Sequence, residues 1–186
     1  MKYLKIPMII LFTFQFTYAQ LSIEKGIYNI SGSIHYENVE YGGHDNMNYL
    51  DISPGIYYFI HKNISLGSQI VYSRTLDKHD AIDHYTIKPG IRLYFLSGYK
   101  INPYLILSYE YYLADYTHGK DYLNVFGFNY GCGMDYFITE NIAIEPYFIY
   151  SKTKWKDEDD EILRKPKTIE FGVSLAIFIN KEKSNQ

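Results

Sequence analysis

A two-residue alternation of apolar with small or polar side chains, renewed segment after segment, constrains this chain more than any other feature. Between Tyr85 and Phe95 one face carries Tyr85, Ile87, Pro89, Ile91, Leu93 and Phe95, and the other carries Thr86, Lys88, Gly90, Arg92 and Tyr94. Successive side chains of a strand point to opposite faces, so this spacing reads as a strand with one apolar and one polar surface. Residues 125–138 repeat it, with Phe126, Phe128, Tyr130, Cys132, Met134 and Tyr136 against Gly127, Asn129, Gly131, Gly133 and Asp135. In all, eight segments carry the pattern: 24–36, 49–60, 64–74, 85–95, 103–114, 125–138, 142–151 and 168–179.

Beyond residue 19 no apolar run is long enough to cross a bilayer as a helix. An even number of strands of about ten residues, each with an apolar and a small-polar face, is instead the pattern of a membrane-spanning barrel. In lipid every backbone N–H and C=O needs an internal partner, which for β-structure means a closed sheet. The predicted fold is therefore all-β, an eight-stranded antiparallel up-and-down transmembrane barrel. Gly55, Gly67, Gly90, Gly127, Gly131, Gly133 and Gly172 fall on the polar face, where a narrow barrel has least room. Pro54, Pro89 and Pro146 fall inside strands and, lacking an N–H, are expected to cost ladder rungs. Links near 61–63, 97–99 and 139–141 are short, whereas 37–48, 75–84, 115–124 and 152–167 are longer and polar. That alternation predicts short periplasmic turns and longer extracellular loops.

The first residues read as a secretory signal peptide: Lys2 and Lys5, an apolar stretch from Ile6 to Phe16, then Thr17-Tyr18-Ala19. The expected organisation is a signal peptide over 1–19 and a barrel domain over 20–186. Export of 1–19 removes Lys2 and Lys5, so 18 basic residues become 16 against 21 acidic ones, a net charge near −5. Such a balance gives no reason to expect nucleic acid as a partner. Cys132 is the single cysteine, which excludes an intrachain disulfide. Tyrosine, at 22 residues, suits a membrane interface because its ring is apolar and its tip is wet.

Across essentially the whole mature chain the sequence resembles the small outer-membrane β-barrel proteins of the OmpA/OmpX and opacity-protein type. In the last strand Glu170, Gly172, Leu175 and Ile177 fall where that family's C-terminal assembly signal places a polar residue, a glycine and two apolar residues. The resemblance implies a monomer in the bacterial outer membrane. Its implied partners are outer-membrane lipid, lipopolysaccharide and the outer-membrane assembly machinery.

Alternation directs Lys25, Asp51, Lys88, Arg92, Glu110, Asp135, Glu145 and Glu170 into the lumen. Charges in a narrow interior must be paired or hydrated, so Lys88, Glu110, Arg92, Asp135, Glu145, Asp51 and Glu170 are expected to form a charge network that fills it. If the turn near Tyr99 sets the register, residues whose numbers sum to 198 face each other, which pairs Lys88 with Glu110. Around Glu140 the corresponding sum is 280, which sets Asp135 opposite Glu145 with Arg92 as the nearest cation.

His35 shares its face with Ser31 and Ser33, a nucleophile-and-base pairing, but no acid partner for the pair is evident. His44, His79, His84 and His118 fall in long links without a recognised metal-ligand spacing. Asp157–Glu161 is a run of five acids lacking the glycine of a calcium loop. No cofactor is implied. The expected role is non-enzymatic, structural or adhesion-like, through the extracellular loops. The alternatives are a lipid A-modifying enzyme and a narrow porin-like channel.

Overall fold

Each alternating segment becomes a strand because burial on one face and lipid on the other both reward the period of two. In the computed structural model, which describes residues 23–39, 47–76, 81–114, 124–156, 162–164 and 167–180, these strands are β1 (Ile27–Val39), β2 (Met47–His61), β3 (Ile64–Leu76), β4 (Ala81–Tyr94), β5 (Ile101–Ala114), β6 (Asn124–Phe137), β7 (Ile142–Lys156) and β9 (Lys167–Asn180). A three-residue β8 (Ile162–Arg164) pairs with the end of β7. Every neighbouring pair is antiparallel, and β1 pairs with β9 to close the sheet into an eight-stranded up-and-down barrel. The expected signal peptide over 1–19 lies outside the described residues, as do the acidic run 157–161 and His44, His79 and His118.

The barrel is inside-out relative to a soluble protein. Asn29, Asn102, Asp135 and Glu145 have no solvent exposure at all, whereas Leu107 and Phe171 are 53% and 72% exposed. The lone Cys132 is on the exposed face. Tyrosines roof the interior glycines from the neighbouring strand: Tyr57 stands opposite Gly67, Tyr104 opposite Gly133 and Tyr147 opposite Gly172. A Cβ at any of the three would collide with its tyrosine, so these glycines make room for the rings.

The registers follow the turns. Along β4 and β5 the partners run from His84↔Ala114 to Tyr94↔Tyr104, all summing to 198. Along β6 and β7 they run from Asn124↔Lys156 to Phe137↔Ala143, all summing to 280. Pro54, Pro89 and Pro146 each remove rungs on one side: the ladder skips from Ile52↔Tyr72 to Gly55↔Gln69 at Pro54, from Ile87↔Tyr111 to Gly90↔Ser108 at Pro89, and from Gly133↔Tyr147 to Tyr136↔Ile144 at Pro146. The missing amide hydrogen is the cause.

Strand boundaries differ from the sequence reading at several ends, such as β1 reaching Val39 and β3 reaching Leu76, and three differences move charged or titratable residues. Lys25 is not in the lumen; it lies exposed in a turn, because Gly26 at φ +96° turns the chain just before β1 begins. Residues 81–84 belong to β4 and not to a loop, so His84 is a strand residue. β7 extends five residues past Ser151, and Lys152 is on the outer surface of that strand with its ammonium 5.7 Å from the Tyr150 ring centre.

Candidate functional site

Two different environments divide the lumen. At the end with the short turns, Phe59, Tyr94, Phe137 and Phe178 are buried and in mutual ring contact, with centroid separations of 5.1 Å for Phe59–Tyr94 and 4.8 Å for Phe137–Phe178. Arg92 lies over this layer. Its guanidinium sits 3.9 Å from the centre of the Tyr57 ring and 4.7 Å from that of Tyr104, and donates to Glu145 Oε1 at 3.0 Å. Asn29 Nδ2 donates to the same carboxylate oxygen at 2.9 Å. A planar, weakly hydrated cation suits this slot, since it stacks on rings while its edge serves a carboxylate. The register sets Asp135 opposite Glu145, beside Arg92 and Tyr94. Of the two carboxylates so paired, the guanidinium of Arg92 bonds Glu145.

Further up, the charges form separate groups instead of one network. Lys88 Nζ stands 3.6 Å from Glu110 Oε2, and Asn129 Nδ2 donates to that carboxylate at 3.0 Å and to Ser108 Oγ at 3.3 Å. Tyr147 O–H donates to Glu170 Oε1 at 2.8 Å. Between these groups opens a cavity of about 320 Å³, with Ser33, His35, Asp51, Gln69, Lys88 and Glu170 in its lining. Asp51 is directly opposite His35 across β1 and β2, so the histidine does have an acid neighbour. The sequence hid it because the two residues are sixteen positions apart.

The wall beside this cavity is split. The β1–β9 ladder runs from Ile27↔Asn180 only to Gly32↔Leu175, although β1 continues to Val39 against β2 and β9 begins at Lys167 against β7. Ile34 and Phe171, on the two edges so parted, are 75% and 72% exposed, the highest values among the large exposed hydrophobics. Among the described residues no group of three or more His, Cys, Asp or Glu side chains is placed to hold a metal ion. On β9, Glu170 and Gly172 face inward and Leu175 and Ile177 face outward.

A closed antiparallel barrel with a polar interior and an apolar exterior is a transmembrane β-barrel. The chain belongs to the family described as outer membrane protein beta-barrel domain, which matches residues 8–176. It is thus a protein of the bacterial outer membrane. Among solved structures it is similar to the outer membrane protein OprG from Pseudomonas aeruginosa, at 14% identity and a TM-score of 0.49, covering 85% of this chain and 96% of that one. It is also similar to the outer membrane protein AlkL, solved in DMPC lipid bilayers, at 12% identity and a TM-score of 0.47, covering 84% and 92%. No curated protein matches the sequence.

Proposed function

We propose that the protein is a non-enzymatic barrel that works at the cell surface, with a structural and surface-interaction role carried by its external half and loops. In this reading no ions pass through it. One observation supports the reading above all others: the Arg92–Glu145 pair lies across the lumen between Tyr57 and Tyr104, on a packed layer of aromatic rings. An ion path would have to break a buried charge pair and part those rings together. The cavity above that layer has charged and apolar walls, Lys88 and Glu170 beside Val71 and Phe171, and offers a small ligand a binding place on the external side.

Planar-bilayer recording tests the reading. The wild-type protein is expected to give no stepwise conductance, and a variant with Arg92 and Tyr57 both changed to Ala is expected to give steps. Steps from the wild type would overturn it. The same preparations address enzyme activity: lipid A extracted from expressing cells should keep its mass spectrum. A shift by one acyl chain would instead make His35 and Asp51 the residues to test first.

A further inference from the structure

The extracellular end of the barrel carries an outward-facing row of lysines, and among the described residues no carboxylate neutralises Lys152, Lys154 or Lys167. Along β7 the outer face reads Ile142, Ile144, Pro146, Phe148, Tyr150 and then Lys152, Lys154 and Lys156. On the adjoining strand the outer face of β9 changes in the same way, from Phe171 and Ile169 to Lys167. Lys152 and Lys167 stand directly opposite each other. Two like charges facing across a ladder destabilise it unless an anion lies between them.

The height of the row fits a membrane boundary. Lys152 is ten residues along β7 from Ile142. At about 3.3 Å per residue and a tilt near 40°, that is roughly 25 Å, the height of a barrel's apolar band. The lysine stems therefore end the lipid-facing surface while their ammonium groups reach the headgroup layer, as long cationic side chains do. Aromatic rings hold them there: Lys152 Nζ is 5.8 Å from the Tyr130 ring centre, and Lys154 Nζ is 6.0 Å from that of Phe126.

The opposite side of the barrel is built differently. There Arg74 faces Asp83 across β3 and β4 at 3.7 Å, and Tyr72 O–H donates to the same carboxylate at 2.9 Å. One rim is thus internally neutralised, whereas the described outer faces of β5, β6, β7 and β9 contain no carboxylate at all. A positive patch on a chain with a net negative charge, placed at the headgroup level of the outer leaflet, calls for an anion that belongs to the membrane.

We propose that Lys152, Lys154 and Lys167 bind the phosphate groups of a glycolipid in the outer leaflet. Lysine provides point-charge donors suited to phosphate, and the apolar surface below the row accepts the lipid's chains.

The test uses the full-length folded protein and its single tryptophan, Trp155, as a fluorescent reporter. Phosphorylated lipid A is titrated in neutral detergent, with dephosphorylated lipid A and inorganic phosphate as separate arms. The expected result is binding of phosphorylated lipid A alone, weakened by added salt. At roughly fivefold per lysine, the combined Lys152→Gln, Lys154→Gln and Lys167→Gln variant should bind about a hundredfold more weakly. Lys154→Gln alone gives the fivefold loss should the triple variant fold poorly, and Arg74→Gln should leave binding unchanged. Equal binding of the two lipid A forms would overturn the proposal. So would saturation by inorganic phosphate at the same concentration, which would make the row a free-anion site. The acidic run 157–161 is the rival occupant. If replacing its acids by Asn and Gln creates lipid A binding that the wild type lacks, the lysines serve that run and the proposal fails.

Discussion

Replacing Arg92 by Ala should destabilise the folded barrel more than any other single removal of a charge. Arg92 is 6% exposed and Glu145 is fully buried, so the substitution leaves a carboxylate in a dry site whose nearest titratable neighbour in register is another carboxylate, Asp135. Breaking a buried pair by removing one partner costs about 3–5 kcal/mol, and the lost stacking on Tyr57 and Tyr104 adds to it. With a urea slope of roughly 1–3 kcal/mol per molar, the midpoint should fall by about 1 M or more. Urea unfolding in lipid vesicles, followed by Trp155 fluorescence, measures it. Lys62→Ala, in the exposed turn between β2 and β3, is the control and should stay within about 0.5 kcal/mol of wild type. Changing both members, Arg92→Met with Glu145→Gln, should recover much of the loss, because the isolated buried charge is gone. Equal midpoints for Arg92→Ala and Lys62→Ala would refute the reasoning.

Two further substitutions probe the two faces. Gly67→Ala forces a methyl group into Tyr57 and the β2 backbone and should cost about 1–3 kcal/mol in the same unfolding assay, whereas Gly32→Ala meets nothing closer than 3.9 Å and should be tolerated. Leu107→Arg puts a charge on the lipid face near mid-strand and should cost about 2–4 kcal/mol, seen as slower and less complete heat-modifiable folding into vesicles.

Much of the barrel was legible in the sequence because the membrane makes the period of two explicit. Lipid demands an apolar residue at every second position, and the short turns near Tyr99 and Glu140 then fix the registers by counting. That count alone set Lys88 against Glu110 and Asp135 against Glu145. The strand ends were less legible for the same reason. Beyond Tyr150 the outer face of β7 leaves the apolar band, so the alternation of hydropathy stops at Ser151 while the hydrogen-bond ladder continues to Lys156. Lys25 carries the right parity for the lumen, but Gly26 turns the chain before the strand starts.

The divided interior was hidden altogether. The choice of Glu145 over Asp135 by Arg92 depends on where the rings of Tyr57 and Tyr104 stand, which no spacing reveals. The β1–β9 split leaves no mark either, since alternation continues across the break, through Ile34 on β1 and through Val173, Phe171 and Ile169 on β9. The neighbourhood of His35 and Asp51 arises from strand pairing alone.

The central claim is that one face of every strand meets lipid and the other meets a packed polar lumen, and spin-label scanning of β5 tests it most directly. Nitroxides placed singly from Tyr104 to Tyr109, with Cys132 changed to Ser, would be reconstituted in vesicles and assayed for collision with oxygen and with a water-soluble nickel complex. Positions 105, 107 and 109 are outward and exposed, and 104, 106 and 108 are inward and buried. The account predicts oxygen accessibility that rises and falls with a period of two, high at 105, 107 and 109, with low nickel accessibility at all six. A flat profile, or one with its maxima at 104, 106 and 108, would contradict it.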